Sequence, residues 1–331
     1  MSPTSYLLLY LAIRFQTYKI YAPSQRLIQR LYIYKMAKIP HRSGYVSIIG
    51  NPNVGKSTLV NALMGRDLSI TTSKAQTTRH RILGLINGDK YQVVLSDTPG
   101  IIKPSYEMQN SMMDFVKESL IDADVLLYMI SLEEKQIKDE SLLEQIIKSK
   151  IPLFVLLNKI DTSSQKKLES AVQEWSCVFP NAKILPISAL TGFFVPELLQ
   201  MLIDLLPESP PFFPKDQLSD KPERFFVNEA VRKSILEYYD KEVPYAVEVI
   251  TEFFKEEEKI IKIRAVILAE RETQKGIIIG HKGEKLKKVG TGARKSLESF
   301  FGKKIHIELY VKVEKNWRSN PLQLKRFGYK Q

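Results

Sequence analysis

The chain has 331 residues, 44% of them hydrophobic and 26% charged, with a net charge of +12 at pH 7. This composition is that of folded domains and excludes a largely disordered chain, and the length allows two domains with separate cores. Cys177 is the single cysteine, so an internal disulfide bond is impossible. We expect a cytoplasmic protein in a reducing compartment, with the Cys177 side chain buried as a small apolar group.

The net charge is unevenly distributed along the chain. Residues 1–35 carry five Lys or Arg and no acidic residue, and residues 36–221 carry 20 basic against 21 acidic residues. Residues 222–331 carry 24 basic against 16 acidic residues. The last third therefore has the charge of a domain that binds a polyanion, although a basic surface alone does not identify the partner.

The first 35 residues contain one apolar run, Tyr6–Ile13. This run falls far short of the ~20 residues that cross a bilayer, and no small-residue cleavage site follows it, which disfavours a secretory signal. A transit peptide or a membrane-surface helix is one interpretation. We favour another, in which translation starts at Met36, because Met36 leads directly into the first predicted strand.

Short apolar runs alternate with helical patterns from Tyr45 onwards. Several runs are continuously apolar, as parallel strands buried on both faces are. The predicted strands are Tyr45–Ile49, Tyr91–Leu95, Val125–Ile130, Leu153–Leu157 and Ile184–Ile187. Helix-period stretches such as Leu142–Ser149 and Gln165–Val178 lie between them. This order predicts βαβ units and an α/β domain with a doubly wound, mostly parallel sheet.

A proline-rich segment separates this domain from the rest of the chain. Five prolines stand among the 16 residues from Pro207 to Pro222 and cannot continue a helix. We therefore divide the chain into an extension (1–35), a first domain (36–206), a linker (207–222), a second domain (223–316) and a basic, aromatic tail (317–331).

The segment after the first predicted strand fits the pattern G-x-x-x-x-G-K-[ST] and precedes a predicted helix. Glycines let backbone N–H groups close around phosphate oxygens, and the helix N-terminus adds positive potential. Lys56 would neutralise charge on the β- and γ-phosphates, and the Ser57 hydroxyl would bind Mg²⁺. The predicted phosphate-binding residues are Gly50, Asn51, Pro52, Asn53, Val54, Gly55, Lys56 and Ser57.

Two further segments are predicted at the γ-phosphate. Asp97 ends a predicted strand and can hold Mg²⁺ through water, and the Gly100 N–H can meet the γ-phosphate. The polar stretch from Lys74 to Arg79 suits a first switch loop, in which we expect Thr78, with Thr77 as the alternative, to bind Mg²⁺. The predicted catalytic residues are Lys56, Thr78 and Gly100, and the predicted metal ligands are Ser57, Thr78 and Asp97. The strand-end motif that contacts the nucleotide comprises Asp97, Thr98, Pro99, Gly100 and Ile101.

Base recognition is predicted at the carboxyl ends of two later strands. Asp161 can accept two hydrogen bonds from the guanine N1–H and exocyclic amine. Adenine lacks this pair of donors and would leave the carboxylate unpaired, so the motif indicates GTP instead of ATP. The predicted base-binding residues are Asn158, Lys159, Ile160, Asp161, Ser188, Ala189 and Leu190.

The second domain is predicted to follow the order α-β-β-α-α-β of an α+β, type II KH domain. Its centre is a GxxG loop with an apolar helix before it and a basic helix after it. The glycines let the backbone approach a nucleotide strand, and the two helix ends hold its phosphates. A GxxG sequence alone is a weak signal. The complete pattern predicts RNA binding by Gly280, His281, Lys282, Gly283, Lys285, Lys287 and Lys288.

KH domains bind about four unpaired bases in an apolar groove between a helix and an edge strand. The candidates for its floor are equally plausible as core residues: Ile278, Ile279, Ile305 and Ile307. The tail mixes aromatic and basic side chains, which suits stacking on bases, and disorder is the equal alternative. These tail residues are Trp317, Arg318, Lys325, Arg326, Phe327 and Tyr329.

The motifs GNPNVGKS, KAQTTRHR, DTPG, NKID and SAL follow one another in this order. With them and the KH-type domain, residues 45–316 resemble the Era family of ribosome-assembly GTPases. The resemblance implies hydrolysis of GTP to GDP with Mg²⁺, and binding near the 3′ end of small-subunit ribosomal RNA. It also implies a role in 30S subunit assembly and some peripheral association with the inner face of the cell membrane. We expect a monomer.

Ile101 departs from the Ras-like pattern, in which a glutamine at this place orients the attacking water. The Era family shares this isoleucine, which implies slow intrinsic turnover, another water-positioning device or a group supplied by a partner. Asn53 resembles the asparagine that helps related GTPases bind K⁺, with loop geometry as its alternative role. An RNA-binding adaptor that uses nucleotide only structurally stays open. A tRNA-modification GTPase is disfavoured, because no cofactor-binding domain or redox cysteine is recognisable.

Overall fold

The computed structural model describes residues 40–132 and 140–330, so the extension 1–35 lies outside the described residues. Within the described ranges, no helix combines the length and the hydrophobicity that a membrane span needs. The strands of the first domain are β1 (Arg42–Ile49), β2 (Ile82–Asn87), β3 (Tyr91–Asp97), β4 (Val125–Ser131), β5 (Leu153–Asn158) and β6 (Lys183–Pro186). They form one sheet in the order β2-β3-β1-β4-β5-β6, in which only the β2–β3 pair is antiparallel.

Helices cover both faces of this sheet: α1 (Lys56–Met64), α2 (Glu107–Asp122), α3 (Glu140–Lys148), α4 (Gln165–Val178) and α5 (Val195–Leu205). One apolar core joins α1 and α5 to one face through residues such as Leu59 and Leu198. A second core joins α2, α3 and α4 to the other face through Val116, Leu142 and Trp175. The prediction of a doubly wound, mostly parallel sheet is confirmed.

The edge strand β2 has no counterpart among the predicted strands. It is short and contains Gly84, a residue type that weakens a strand pattern. A Cβ atom on Gly84 would lie 2.8 Å from Leu68 Cδ2, so a larger residue there would displace the Leu68 side chain. Antiparallel pairing with β3 forms this strand, and that interaction is not visible in the local sequence.

The proline-rich linker 207–222 lies against the first domain. The Leu85 N–H donates to Leu218 O at 3.0 Å. The Gln92 side-chain amide donates to Phe213 O at 2.9 Å and accepts from the Phe213 N–H at 3.0 Å. No helix is described between α5 and residue 223, as the prolines predict. The linker's hydrogen bonds to β2 and β3 fix its path between the two domains.

The second domain has the predicted element order: α6 (Glu223–Tyr238), β7 (Val247–Glu256), β8 (Ile260–Ala269), α7 (Glu272–Ile279), α8 (Glu284–Phe301) and β9 (Lys304–Val313). Strand β8 pairs antiparallel with β7 and parallel with β9. The helices pack on the sheet through a core that includes Val231, Ile278 and Val289. This is the predicted KH fold.

The tail folds back onto the first domain and includes α9 (Pro321–Arg326). Trp317, Leu324 and Tyr329 are at most 2% exposed and form an apolar cluster with Met108 and Met112 of α2. Base stacking and disorder are therefore both wrong as predictions for Trp317 and Tyr329. The physical reason is that these side chains pack against the apolar face of α2 and bury it. The sequence of the tail alone does not reveal this long-range contact.

A further correction concerns Cys177, which is exposed on α4 instead of buried. The buried side chain of this helix is Trp175, two residues earlier. Side chains that are two residues apart in an α-helix point in directions roughly 200° apart around the helix axis. Cys177 therefore faces solvent because Trp175 faces the core.

Trp317→Ala should destabilise the fold by about 3–5 kcal/mol, because it leaves a cavity in place of a buried aromatic side chain. It also removes the hydrogen bond from Trp317 Nε1 to Ala246 O at 3.1 Å. Urea unfolding of the full chain measures the change. Leu322→Ala is the matched control, since Leu322 lies in the same tail but is 80% exposed. Equal stability losses in the two variants would contradict the buried position of Trp317.

Candidate functional site

The predicted phosphate loop, Gly50–Ser57, connects the end of β1 to the start of α1. Gly55 has a left-handed backbone (φ 106°), and a Cβ atom there would lie 2.3 Å from Asn158 Nδ2. The Asn158 amide in turn donates to Val54 O at 2.7 Å. The loop is thus built around glycine, and a residue of the predicted base site supports it from behind.

The Lys56 side chain is buried inside this loop. Its ammonium donates to Gly50 O at 3.0 Å and to Asn51 O at 2.9 Å. The ammonium therefore lies within the ring of backbone that would surround the phosphates, where its charge can act on them. The structure brings together the residues predicted from the phosphate-loop motif.

Three side chains whose oxygen atoms can bind a metal ion meet beside the loop. Ser57 Oγ lies 2.8 Å from Thr78 Oγ1 and donates to Asp97 Oδ2 at 2.8 Å. Asp97 is fully buried, and its Oδ1 atom has no hydrogen-bond partner in the described structure. Burial raises the pKa of the Asp97 carboxyl, against the opposing effects of the nearby Ser69 hydroxyl, the Ser57 hydroxyl and the Lys56 ammonium. A buried, under-satisfied carboxylate with two hydroxyls is an oxygen-only set that fits Mg²⁺.

The structure places Thr78 at this cluster, whereas Thr77 has other partners. Thr77 Oγ1 donates to Lys74 O at 2.6 Å and lies 2.7 Å from Thr72 Oγ1. Thr78 is buried. The geometry therefore favours Thr78 over Thr77 as the switch threonine.

The strand-end motif lies directly against the phosphate loop. A Cβ atom on Gly100 would be 2.7 Å from Pro52 Cα, so only glycine allows this close approach. The Thr98 hydroxyl donates to Ile48 O at 2.6 Å, and the Ile101 N–H donates to Gly50 O at 3.1 Å. The Ile101 side chain is 1% exposed and packs in the core. It therefore cannot act on a water molecule at the γ-phosphate.

The predicted base-binding segments also converge. Asn158 Oδ1 accepts a hydrogen bond from the Ala189 N–H at 2.9 Å, and the Ser188 hydroxyl donates to Asp161 Oδ1 at 2.6 Å. Asp161 is exposed, as a group that receives a base from solvent must be. The remaining predicted residues of this edge are Lys159, which has a left-handed backbone, Ile160, and the 79%-exposed Leu190.

The GxxG loop forms a sharp turn between α7 and α8. Gly280 and Gly283 both have positive φ, 70° and 79°. His281 and Lys282 are exposed at its tip, and three further predicted RNA-binding residues are exposed on the first turns of α8. These are Lys285, Lys287 and Lys288.

A groove of ≈520 Å³ runs from this loop between α8 and β9. Ile305 and Ile307 line it, as predicted, but Ile278 lies in the core and Ile279 is not part of the lining. Six further lining residues were not predicted as part of the groove: Leu286, Gly290, Thr291, Arg294, His306 and Leu309. The spacing of Lys287, Gly290, Thr291 and Arg294 along one helical face is the signal that could have found the α8 side of the groove.

Two protein families match the chain. The family described as "50S ribosome-binding GTPase" matches residues 45–159, and the family described as "KH domain" matches residues 242–318. GTPase Era of Clostridium kluyveri is 42% identical over 291 residues, which are 87% of this chain and 99% of that protein. GTPase Era of Geotalea daltonii is 43% identical over 296 residues, which are 89% of this chain and 100% of that protein.

Two solved structures have the same fold over most of the chain. A crystal structure of Era in complex with MgGDPNP and nucleotides 1506–1542 of 16S ribosomal RNA superposes with a TM-score of 0.83 at 38% identity. A variant of Aquifex aeolicus Era bound to GDP and AlF₄⁻ superposes with a TM-score of 0.83 at 39% identity. Each comparison covers 88% of this chain and 100% of the other.

Fold and site together define a P-loop GTPase joined to a KH domain. The identity over nearly the whole length is more specific still: the chain belongs to the Era GTPase family. It is therefore an enzyme that hydrolyses GTP, and the alternative of a non-enzymatic adaptor is not retained.

Asp161→Asn should weaken GTP binding and improve binding of xanthosine triphosphate, because an amide presents a donor where guanine needs an acceptor. Each lost charged hydrogen bond should cost about 1.5–3 kcal/mol. Titration of the full chain with fluorescent nucleotides measures both affinities. The fold should survive, since Asp161 is exposed and the new amide oxygen can still accept from Ser188. Unchanged affinity for both nucleotides would show that the guanine site lies elsewhere.

Proposed function

We propose that this GTPase is an RNA-binding molecular switch in the assembly of the 30S ribosomal subunit. GTP orders the first domain, the KH domain binds small-subunit ribosomal RNA near its 3′ end, and hydrolysis to GDP resets the complex. The observation that carries this function is the presence, in one chain, of a converged guanine nucleotide site and a basic KH groove. A related Era binds MgGDPNP and 16S ribosomal RNA nucleotides in one complex.

In the nucleotide site, Ser57 and Thr78 would bind Mg²⁺ directly, and Asp97 would hold it through water. When bound, this cation neutralises charge on the β- and γ-phosphates. Lys56 and the backbone N–H groups of the phosphate loop hold the same phosphates in position. The Gly100 N–H would contact the γ-phosphate and lose that contact on hydrolysis, which would free the following segment.

The environment of Ile101 supports slow intrinsic turnover. Its side chain is buried in the core, so this position offers no group that orients the attacking water. K⁺ is the further cation that we propose for this site, because Asn53 is exposed on the phosphate loop and its side-chain oxygen is a ligand of the type that binds such a cation. The Asn53 side-chain N–H donates to Ser73 O at 3.0 Å, directly before the switch loop, which places that amide beside it. A monovalent cation there would add positive charge near the transferred phosphate.

The GxxG loop is connected to the switch loop through Tyr239. The Lys74 ammonium donates to Tyr239 O, and the Tyr239 hydroxyl donates to Ile278 O at 2.7 Å, two residues before Gly280. Burial raises the pKa of the Tyr239 phenol to about 12. One residue therefore contacts both the nucleotide switch and the helix that ends at the RNA-binding loop.

RNA phosphates would bind at the GxxG loop and the lysines of α8, and bases would enter the groove above Ile305 and Ile307. We expect a monomer that acts where ribosomal subunits assemble, in the cytoplasm and peripherally at the inner face of the cell membrane. Membership of the Era family supports this expectation.

Replacing His281 and Lys282 together by Asp should weaken RNA binding and make its salt dependence shallower. Two anions would then face RNA phosphate, and fewer counterions would be released on binding. Fluorescence anisotropy with single-stranded RNA from the small-subunit 3′ end, at several salt concentrations, measures both effects. GTP affinity and hydrolysis without RNA should not change.

The matched control replaces Gln165 and Lys166 by Asp. It changes the net charge equally, on exposed residues at the start of α4. This control should keep most of the RNA affinity, since its charges lie in the first domain. Undiminished RNA affinity in the folded loop variant would refute the KH loop as the binding site.

A further inference from the structure

Two buried arginines cross the boundary between the domains in opposite directions. Arg232 of α6 is 1% exposed and donates to the carbonyl oxygen of Thr77, with a longer contact of 3.5 Å to Gln76 O. Arg79 of the first domain is 0% exposed and donates to Val247 O at 2.7 Å and to Pro244 O at 3.0 Å. Each guanidinium therefore holds backbone of the other domain.

These contacts bracket the switch threonine. The Thr77 carbonyl belongs to the peptide bond between Thr77 and Thr78, and Arg79 directly follows Thr78 in the chain. Thr78 Oγ1 lies 2.8 Å from Ser57 Oγ, at the proposed Mg²⁺ site. The backbone of Thr78 is thus fixed on both sides by the second domain, while its hydroxyl lies in the first.

Each arginine is paired with a carboxylate of the second domain. Arg232 contacts Glu229 through two hydrogen bonds of 2.8 and 2.6 Å. Arg79 lies 3.6 Å from Glu248, which also accepts a hydrogen bond from the Tyr329 hydroxyl at 2.6 Å. A buried charge needs such partners, and the two short hydrogen bonds to Glu229 hold the Arg232 guanidinium in one orientation.

The next residue of the loop, His80, is half-buried and contacts the tail. His80 stacks on Tyr329 of the tail, with ring centroids 4.3 Å apart. Burial, together with the cations Lys221, Arg232 and Arg79, holds the pKa of His80 well below its usual range, so the ring packs as a neutral group. The loop from Thr77 to His80 therefore contacts the second domain or the tail at three of its four residues.

We propose that Arg79 and Arg232 are positioning residues, through which the second domain holds Thr78 at the Mg²⁺ and γ-phosphate position. This inference rests on the proposed function and extends it, because a residue of the KH domain then contributes to the GTP-bound state of the first domain. Since Thr78 contacts the nucleotide only when a γ-phosphate is present, the two arginines stabilise the complex with GTP and not the complex with GDP. By linkage, GTP favours the docked arrangement of the two domains.

A purely structural role for these arginines predicts a different result. Loss of a structural contact would lower the affinities for GTP and GDP together, or neither. Loss of a positioning contact lowers the affinity for GTP alone. The ratio of the two affinities therefore separates the two roles.

The test replaces Glu229 and Arg232 together by Met in the full chain. Removing both partners leaves no unpaired buried charge, and well-packed apolar residues often replace a buried ion pair without loss of stability. The affinity for a non-hydrolysable GTP analogue should fall about tenfold, as expected for loss of a hydrogen bond from a charged donor. The affinity for GDP should stay as in the parent.

The matched control replaces Arg81 and Asp122 by Met. These two residues form a buried ion pair of 2.6 Å inside the first domain, close to the same loop. The control should keep the parent ratio of affinities. If the Glu229–Arg232 variant does not fold, Arg232→Lys serves instead, because it keeps the charge but loses the forked contact; a smaller loss of the same kind is expected.

Two results would overturn the inference. The first is a folded Glu229–Arg232 or Arg232→Lys variant whose ratio of affinities for the GTP analogue and GDP equals that of the parent. The second is an Arg81–Asp122 control in which this ratio falls as far as in the Glu229–Arg232 variant. Failure of the proposed function itself would look different, because the parent protein would then not bind guanine nucleotide or RNA.

Discussion

The arrangement of this protein depends on how one loop is held. Residues 77–80 reach the phosphate site with one hydroxyl, that of Thr78, while the neighbouring residues are anchored on the second domain and the tail. A loop with few internal contacts has no unique position of its own, and the groups that bind it decide where it lies. Here those groups belong to two domains, so the nucleotide and the domain arrangement influence the same few residues.

The parallel sheet makes the nucleotide site possible. Strand β1 lies between β3 and β4, and β5 lies on the other side of β4. These four strands are parallel, so the carboxyl ends of β1, β3 and β5 lie at one edge of the sheet. The phosphate loop follows the first of these strands, Asp97 ends the second, and Asn158 ends the third. Asn158 then supports the phosphate loop through Val54 O, so base and phosphate recognition are built on one framework. Ligand binding at this edge is the general rule for open α/β sheets.

The sequence could predict the parts of the site whose chemistry resides in consecutive residues. The phosphate loop, the base motif around Asp161 and the GxxG loop are of this kind, and the structure brings their residues together. The switch-loop pattern predicts Thr78 and keeps Thr77 as the alternative, because the contact that separates them, between Thr78 and Ser57, joins residues 21 positions apart in the chain. The burial of Trp317 and the exposure of Cys177 likewise depend on what the neighbouring helix faces cover. Such long-range packing leaves no local pattern.

The proposed role of residues 77–80 predicts thermodynamic coupling between the nucleotide site and RNA binding by the second domain. The most direct measurement is the affinity of the full chain for small-subunit 3′-end RNA, determined once with a GTP analogue and once with GDP. We expect tighter RNA binding with the GTP analogue, by a factor of at least about five, and an equal increase in affinity for the GTP analogue relative to GDP when RNA is bound. Equal RNA affinities in the two nucleotide states would contradict a coupled switch.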